Sequence, residues 1–393
     1  MLLQPIINIA EICAQKNVKE IILSPGSRCA PLTLAFVRHP QINTRIISDE
    51  RSAAFIALGI AQQTRNPSAL VSTSGTAALN YAPAVAEAFY QNIPLIIFTA
   101  DRPPEWIDQH DGQTIRQKEI YGKNCKASYE LPVDHAHPDA AWQIERTISE
   151  AINSSSTYPH GPVHINVPVR EPFYPSENER FEYSTNIKVI HRVESEKCLT
   201  NGAWDKLFKI FQASPKKLVV AGLQHPNQKL LKILDNFQKS TGIPVITDIN
   251  SNLHGLQNVI QHTDIICSGR ACPSTTENEK ILKQLAPGLL ISFGGPVISK
   301  SLKLFLRKYP PKAHWHIQPA GNVADTFKTL SDIINVTPEY FFSEISVRWK
   351  HLTPLAVKAW TDQEQKAQNF LTNFFNNKPF SEFEDRKSTR LNS

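Results

Sequence analysis

The sequence lacks the features that mark several large classes of protein. Its longest apolar runs, such as residues 94–98, are far shorter than the roughly 18 residues that a membrane-spanning helix needs. The first five residues carry no basic segment of a secretory signal. No basic run and no aromatic-interleaved patch indicates nucleic-acid binding, and the net charge is only +6 in 393 residues. We therefore expect a soluble, cytoplasmic protein with no membrane span and no nucleic-acid partner.

Cysteine pairs and the common cofactor and hydrolase motifs are also missing. The six cysteines, at positions 13, 29, 125, 198, 267 and 272, form no CxxC pair. No Cys/His set has the spacing of a zinc site, so free thiols in a reducing compartment are expected. There is no GxGxxG, GxxxxGK[ST], HExxH or GxSxG motif. A Rossmann dehydrogenase, a P-loop ATPase, an HExxH metalloprotease and an α/β-hydrolase are therefore disfavoured.

What the sequence does contain is an alternation of short apolar runs and helical patterns. The first block, to about residue 172, has predicted strands at 20–23, 44–48, 69–72, 94–99 and 161–166. A second block has predicted strands at 217–222, 244–247, 288–293 and 314–317, the last of which we expect to end its sheet. Apolar strands separated by helices are typical of parallel sheets covered on both faces. The predicted fold class is α/β, with two doubly wound domains of mainly parallel sheets.

Four loops in the first block follow predicted strands, which is where open α/β sheets bind ligands. They are SPGSRCAP (24–31), SDER (48–51), TSGT (73–76) and TADRPP (99–104). Together they offer a candidate acid–base, the guanidinium groups of Arg28 and Arg102, and glycine and hydroxyl residues for a small-molecule site. Ordinary roles are also open on spacing alone. Asp49 and Glu50 could cap a helix, TSGT could be a tight turn, and the arginines could form surface ion pairs.

Five sequence blocks resemble one family of enzymes. They are ILSPGSRCAPLTLA (22–35), SDERSAAFIALGIA (48–61), STSGTAALNYAPAVAEA (72–88), PLIIFTADRPPE (94–105) and GPVHINVPVREP (161–172). These blocks resemble the 2-succinyl-5-enolpyruvyl-6-hydroxy-3-cyclohexene-1-carboxylate synthases, the thiamine-diphosphate enzymes of menaquinone biosynthesis. SPGSR together with TADRPPE separates this family from the acetolactate synthases and decarboxylases of the same general fold. The second block is similar to the family more loosely, mainly at residues 293–300.

The resemblance implies an architecture and a reaction. A pyrimidine-binding α/β domain, a central α/β domain and a diphosphate-binding domain that holds Mg²⁺ or Mn²⁺ are implied, with the active site between subunits of a homodimer or homotetramer. The implied substrates are 2-oxoglutarate, which is decarboxylated, and isochorismate, which receives the resulting four-carbon unit. Thiamine diphosphate acts as ylid and electron sink. A protein carboxylate bonded to its aminopyrimidine ring helps to remove the thiazolium C2 proton.

The resemblance also implies roles for individual residues. Glu50, in SDER, matches the catalytic carboxylate. The implied cofactor-binding residues are Pro25, Gly26, Glu50, Ser74, Gly75 and Thr76, and the implied substrate contacts are Ser27, Arg28, Arg102, Gln113 and Lys300. Arginine suits carboxylate substrates because its guanidinium forms bidentate pairs with them. Lys300 lies in the looser match and could instead be a solvated lysine on a basic helix.

The family's third domain has no counterpart that we can find in the sequence. No GDG segment of a diphosphate and metal site occurs, and Asn376-Asn377 has no acidic partner at the distance upstream that the family requires, so no metal ligand is assigned in this chain. The resemblance stops after KPFSE (378–382), and the residues from 385 resemble translated sequencing-adapter sequence. We therefore expect a truncated chain that is inactive alone.

The predicted organisation has five parts. They are a pyrimidine-binding domain (1–175), a linker (176–205), a central domain (206–345), a helical lead-in to a third domain (346–384) and a non-native tail (385–393). Two other functions stay open. The chain could be one subunit of a split thiamine-diphosphate decarboxylase or ligase of another specificity, or a non-catalytic α/β binding protein.

Overall fold

A computed structural model of the chain describes residues 4–135, 137–171, 174, 181–184, 186–269, 274–348 and 358–376. The chain divides into two compact units, residues 1–194 and 195–393, and each is described by itself. Cys272, the KPFSE segment and the predicted tail lie outside the described residues. In the part that is described, no helix is both long enough and apolar enough to cross a membrane.

The first unit is built on a six-stranded sheet whose described pairings are all parallel. In chain order its elements are α1 (Gln4–Gln15), β1 (Glu20–Leu23), α2 (Ala30–Val37), β2 (Asn43–Ile46), α3 (Glu50–Thr64), β3 (Ser68–Ser72), α4 (Thr76–Leu79), α5 (Ala82–Gln91), β4 (Leu95–Asp101), β5 (Ala127–Glu130), α6 (Pro138–Ser156) and β6 (Val163–Pro168). The strand order is β2-β1-β3-β4-β6-β5. The connections that leave β1 and β3 therefore run in opposite directions across the sheet, which opens a crevice at the carboxyl ends of these two strands.

Helices cover both faces of this sheet because its central strands are apolar on both sides. Every residue of β3 and β4 is buried. One core layer includes Phe36 and Phe98, whose ring centroids are 5.7 Å apart. The opposite layer is rich in alanine, with Ala53, Ala57 and Ala88 fully buried on α3 and α5. These small side chains let α3 and α5 lie close to the sheet.

The second unit has a five-stranded sheet in the order β11-β10-β9-β7-β8, again with parallel pairing throughout the described strands. Its elements are α7 (Asn201–Ala213), β7 (Lys217–Ala221), α8 (Gln228–Thr241), β8 (Val245–Thr247), α9 (Thr263–Ser268), α10 (Thr275–Leu285), β9 (Leu289–Phe293), α11 (Lys300–Lys308), β10 (Ala313–Ile317), β11 (Asp332–Ile334), α12 (Pro338–Arg348) and α13 (Lys358–Asn376). Two core layers flank the sheet, as in the first unit.

The predicted fold class is confirmed, since both units carry parallel sheets with helices on both faces. One expectation is wrong, because β10 does not end its sheet. β11 follows, and its three residues, two of them only partly buried or exposed, are too few to produce a readable pattern. Helix α7 begins at Asn201, inside the predicted 176–205 linker, while Tyr183 and Ile187 of that segment pack against the first core. The five-part division of the chain stays a proposal.

Phe342 at the centre of the second core gives a test of this packing. Its ring is fully buried, with centroids 5.0 Å from Phe237 and 5.4 Å from Phe293. We expect Phe342→Ala to lower the free energy of unfolding by about 3–5 kcal/mol, because it removes apolar contact and leaves a cavity. Urea unfolding followed by circular dichroism measures this. The matched control is Val323→Ala, whose side chain is 71% exposed in the same unit. Equal midpoints for the two variants would contradict the described core.

Candidate functional site

A cleft of about 410 Å³ lies at the carboxyl ends of β1 and β3, where the connections diverge. Its lining is Pro25, Gly26, Ser27, Glu50, Thr73, Ser74, Thr76, Ala77, Asn80 and Gln113. Seven of these ten residues carry predicted roles: five as cofactor-binding residues, and Ser27 and Gln113 as substrate contacts. The structure therefore brings together in one cleft four segments that are far apart in the sequence, namely residues 25–27, 50, 73–80 and 113.

The loop after β1 is fixed by contacts at both ends. The backbone N–H of Ser24 donates to the carbonyl of Val71 at 2.8 Å, which ties the loop to β3. The buried hydroxyl of Tyr81 donates to Ser24 Oγ at 3.1 Å. At the far end, the buried Cys29 thiol donates to the carbonyl of Gly26 at 3.2 Å. The loop thus presents Pro25 to Ser27 to the cleft in a defined conformation.

Gly26 lies directly against the loop after β3. A Cβ atom at position 26 would lie 2.4 Å from Cβ of Thr73. Since non-bonded carbon atoms in proteins approach to about 3.5–4.0 Å, any side chain here would push the two loops apart. Glycine at position 26 is therefore what lets the loops after β1 and β3 meet.

Gly75 fixes the second loop in a conformation that favours glycine. Its φ is +84°, and a Cβ there would lie 3.1 Å from the carbonyl oxygen of Gln113. Its N–H donates to Oε1 of Gln117 at 2.7 Å. The loop after β3 is therefore held both by the backbone of Gln113 and by the Gln117 side chain.

A buried network of polar side chains holds the loop after β3 in place. Gln117 is 1% exposed, and its Nε2 donates to the carbonyl of Ala100 and to Oδ1 of Asn166, both at 3.1 Å. Asn166 in turn donates to Oδ2 of Asp101 at 2.8 Å. Burial raises the pKa of Asp101. Because buried polar groups are costly unless they are paired, such a network favours one arrangement of the segments that it joins.

Of the two acidic residues that could cap a helix on sequence spacing, only Asp49 does so, and Glu50 has different contacts. Asp49 is the N-cap of α3, and its Oδ1 accepts the N–H of Ser52 at 2.7 Å. Glu50 is the first helical residue, and its Oε2 accepts a hydrogen bond from Nδ2 of Asn80 at 3.1 Å. Its other oxygen, Oε1, has no partner among the described residues. The Glu50 carboxylate therefore belongs to the cleft lining and not to the cap.

Ser74 leaves a polar atom unused at the cleft. Its side chain is 2% exposed, and within the described ranges its Oγ has no hydrogen-bond partner. A buried hydroxyl without a partner is unfavourable, so this position is suited to a polar ligand group.

Arg28 and Arg102 lie beside the cleft, outside its lining. Nη1 of Arg28 donates to the carbonyl of Val169 at 2.8 Å. Burial, and then the nearby positive charge of Arg102, lower the pKa of Arg28. Arg102 forms an ion pair with Asp111 and donates to the carbonyl of Gly112. The carboxylates of Glu171, Asp111 and Asp101 act in the opposite direction on the Arg28 pKa, so the two predicted carboxylate-binding arginines lie near each other among carboxylates of their own chain.

Lys300 belongs to the second unit, where it is the exposed first residue of α11. A cation at a helix N-terminus is disfavoured by the helix dipole, so local structure alone does not explain a lysine here. Its predicted substrate contact stays a prediction. Within the described ranges, no group of three or more His, Cys, Asp or Glu side chains is placed to hold a metal.

Comparison with known proteins places the chain in a family. The profile described as "Thiamine pyrophosphate enzyme, N-terminal TPP binding domain" matches residues 8–120, which include the whole cleft lining. The profile described as "Middle domain of thiamine pyrophosphate" matches residues 185–387, more than half of the chain. The chain belongs to the thiamine pyrophosphate enzymes.

Curated relatives of this thiamine pyrophosphate enzyme share one printed name, 2-succinyl-5-enolpyruvyl-6-hydroxy-3-cyclohexene-1-carboxylate synthase. The chain is 43% identical to the protein of Cytophaga hutchinsonii over 92% of its own length, 40% identical to that of Flavobacterium johnsoniae over 88%, and 39% identical to that of Flavobacterium psychrophilum over 96%. It spans 62%, 59% and 65% of the length of these relatives, respectively. The resemblance seen in the five sequence blocks is confirmed.

Three residues that hold other site residues in place are absent from the sequence-based prediction. Asn80 bonds Glu50, Gln117 holds Gly75, and Asp111 pairs with Arg102. Asn80 and Gln117 each reach a partner at least 30 residues away along the chain. No local spacing rule reports such contacts. One signal was present in the sequence: Asn80 lies in the 72–88 block that resembles the synthase family, and its amide could have been predicted to bond to a site residue.

The contact between Gly26 and Thr73 can be tested by adding one methyl group. We expect Gly26→Ala to lower the free energy of unfolding by about 1–3 kcal/mol, because the loops must separate to admit the Cβ atom. Urea unfolding measures the change. Gly59→Ala is the matched control, since nothing lies within 4 Å of a Cβ at this position in α3. The control should stabilise the chain by about 0.5–1 kcal/mol. A neutral or stabilising Gly26→Ala would contradict the close approach.

His164 predicts a pH dependence of stability. Its ring is fully buried between Thr99 and Ser128, and burial lowers its pKa to about 4. In the unfolded chain a histidine has a pKa of about 6.5, so between pH 6.5 and 4 the unfolded state binds more protons than the folded state. The free energy of unfolding therefore falls as the pH drops through this range, by about 3 kcal/mol in total.

Urea unfolding at several pH values between 7 and 4 checks this slope. His164→Gln keeps an amide in place of the ring but does not titrate, so its stability should vary less with pH. His191→Gln, at an exposed histidine, is the matched control and should keep the original slope. The same slope in the His164 and His191 variants would show that His164 does not cause it.

Proposed function

We propose that this chain supplies the pyrimidine-binding part of a thiamine-diphosphate-dependent synthase. The proposed reaction decarboxylates 2-oxoglutarate and adds the four-carbon unit to isochorismate, in menaquinone biosynthesis. The printed name of the relatives supports this choice of synthase. The single observation that carries it is the cleft at β1 and β3, which gathers Glu50 with the glycine and hydroxyl residues expected around an aminopyrimidine ring.

The residues of the cleft fit such a ring. Gly26 lets the loop after β1 lie against Thr73, and Gly75 lets the loop after β3 lie against the backbone of Gln113. Gly26, Thr73 and Gln113 all line the cleft. The unused Ser74 Oγ offers a hydroxyl that can donate or accept a hydrogen bond. When bound, thiamine diphosphate supplies the nucleophilic carbon and the electron sink that decarboxylation of a 2-oxo acid requires.

Glu50 is the proposed catalytic residue. Its Oε1 is open to a ring nitrogen, while Asn80 holds Oε2 and so sets the orientation of the carboxylate. In this arrangement Oε1 shares a proton with the ligand, as a general acid–base group does. Asn80 is a positioning residue, because it acts through Glu50.

Arg28 and Arg102 are the proposed contacts for substrate carboxylates, together with Ser27, Gln113 and Lys300. The guanidinium groups provide positive charge and a fixed geometry for carboxylate binding beside the cleft. A dicarboxylate and a second anionic substrate would both be favoured by two neighbouring cations.

Several further parts of the proposal rest on the resemblance. Mg²⁺ or Mn²⁺ is the proposed metal, and no group of side chains among the described residues is placed to hold it. A homodimer or homotetramer is the proposed assembly. The cytoplasm is the proposed location, which agrees with the absence of disulfides among the five cysteines that the structure describes.

The role of Glu50 can be tested in a chimaera. Residues 1–376 are joined to the remaining carboxyl-terminal part of the Cytophaga hutchinsonii relative, and thiamine-diphosphate-dependent decarboxylation of 2-oxoglutarate is measured. We expect Glu50→Gln to remove most turnover, by about 10²-fold or more, because the amide cannot accept and return the proton. The fold, followed by circular dichroism, should not change.

Glu87→Gln is the matched control, because Glu87 is an exposed carboxylate on α5 whose contact is with Gln91. It should keep normal turnover. Near-normal turnover in Glu50→Gln would overturn the catalytic assignment. A folded chimaera that binds neither thiamine diphosphate nor isochorismate by calorimetry would favour the non-catalytic alternative.

A further inference from the structure

Arg102 obtains its ion-pair partner from its own chain. It follows β4, and its N–H donates to Oδ1 of Asp101 at 2.7 Å, so its backbone is anchored to the buried network. Its side chain is only 13% exposed and is ion-paired with Asp111, while its Nη2 donates to the carbonyl of Gly112. The guanidinium proposed to receive a substrate carboxylate is thus already engaged by a carboxylate.

Asp111 is placed so that it can leave. Its side chain is 38% exposed, against 13% for Arg102, so Asp111 is the partner that can turn towards solvent. Its Oδ1 accepts only a local hydrogen bond, from the N–H of Gly112 at 3.0 Å. A ligand carboxylate would form the same kind of pair with Arg102, so the guanidinium keeps an anionic partner when Asp111 leaves. Exchange of this carboxylate for another therefore costs little.

The loop that carries Asp111 is held by side chains and not by regular structure. Asp108, His110 and Gln113 all have left-handed backbone conformations, with φ of 62°, 59° and 54°. Such conformations are unfavourable for residues other than glycine and persist only where other contacts enforce them. At one end Asp108 accepts from Arg116 at 3.1 and 2.8 Å, and at the other Gln113 lies against Gly75. Asp111 lies between these two fixed points.

We propose that Asp111 is a specificity-determining residue that occupies Arg102 in place of a substrate carboxylate, which must displace it in order to bind. The inference rests on the proposed function, because it takes Arg102 to be a substrate contact. In the exchange one carboxylate replaces another on the guanidinium, and Asp111 turns to solvent, so the charge at Arg102 stays balanced. A neutral ligand cannot displace Asp111 in this way, and the site therefore selects carboxylates.

Two measurements on the full chain test this proposal. Asp111→Asn should raise the rate at which phenylglyoxal modifies Arg102, followed by peptide mass spectrometry, because the shielding carboxylate is gone. It should also tighten binding of 2-oxoglutarate, measured by ligand-observed NMR, by about fivefold or more, because about 1 kcal/mol is the upper value for a fully exposed pair and Arg102 is only 13% exposed. Arg102→Ala should abolish that binding. Glu150→Gln, which breaks an exposed ion pair with Arg146 on α6 of the same unit, is the matched control and should leave both quantities unchanged.

The outcomes separate the inference from the proposed function. Two outcomes would overturn the displacement. One is a modification rate in Asp111→Asn equal to that of the unsubstituted chain. The other is weaker 2-oxoglutarate binding than the unsubstituted chain in both Asp111→Asn and Arg102→Ala, which would make Asp111 a residue that orients Arg102. If Asp111→Asn is modified faster, but both Asp111→Asn and Arg102→Ala bind 2-oxoglutarate with the affinity of the unsubstituted chain, Arg102 is not a substrate contact. Faster modification together with tighter binding supports both.

Discussion

The site depends on one close approach, in which Gly26 in the loop after β1 meets Thr73 in the loop after β3. A Cβ at position 26 would lie 2.4 Å from that of Thr73, so the contact exists only because residue 26 is glycine. The strand order places these loops side by side at the point where the connections diverge. Both residues of this contact line the cleft, together with Glu50.

A buried hydrogen-bond network holds the loops in this arrangement. Gln117, Asn166 and Asp101 form a chain of hydrogen bonds that joins the amide of Gly75 to the end of β4. Removing one member would leave buried polar atoms unpaired, so the network favours a single loop geometry. The same network anchors the backbone of Arg102. The cofactor-binding and substrate-binding sides of the proposed site are thereby mechanically connected.

Much of this could be predicted from the sequence, and the remainder has identifiable reasons. Apolar runs in the sequence predicted the parallel sheets. The loops that follow these runs contain most of the residues that line the cleft, including Glu50. Short or non-local features escaped prediction. The three-residue β11 has too little pattern, and Asn80, Gln117 and Asp111 act through partners that only folding brings near. Sequence spacing also could not assign capping to Asp49 and leave Glu50 for the cleft.

The central claim is that the cleft at β1 and β3 binds an aminopyrimidine ring. The most direct test is a titration of the chain, labelled with ¹⁵N at its 15 glycines, with 4-amino-2-methylpyrimidine, followed by NMR. The account predicts that the amide signals of Gly26 and Gly75 move, while those of Gly59 and Gly242 stay in place. Unmoved signals of Gly26 and Gly75 at saturating ligand, or shifts confined to other glycines, would contradict it.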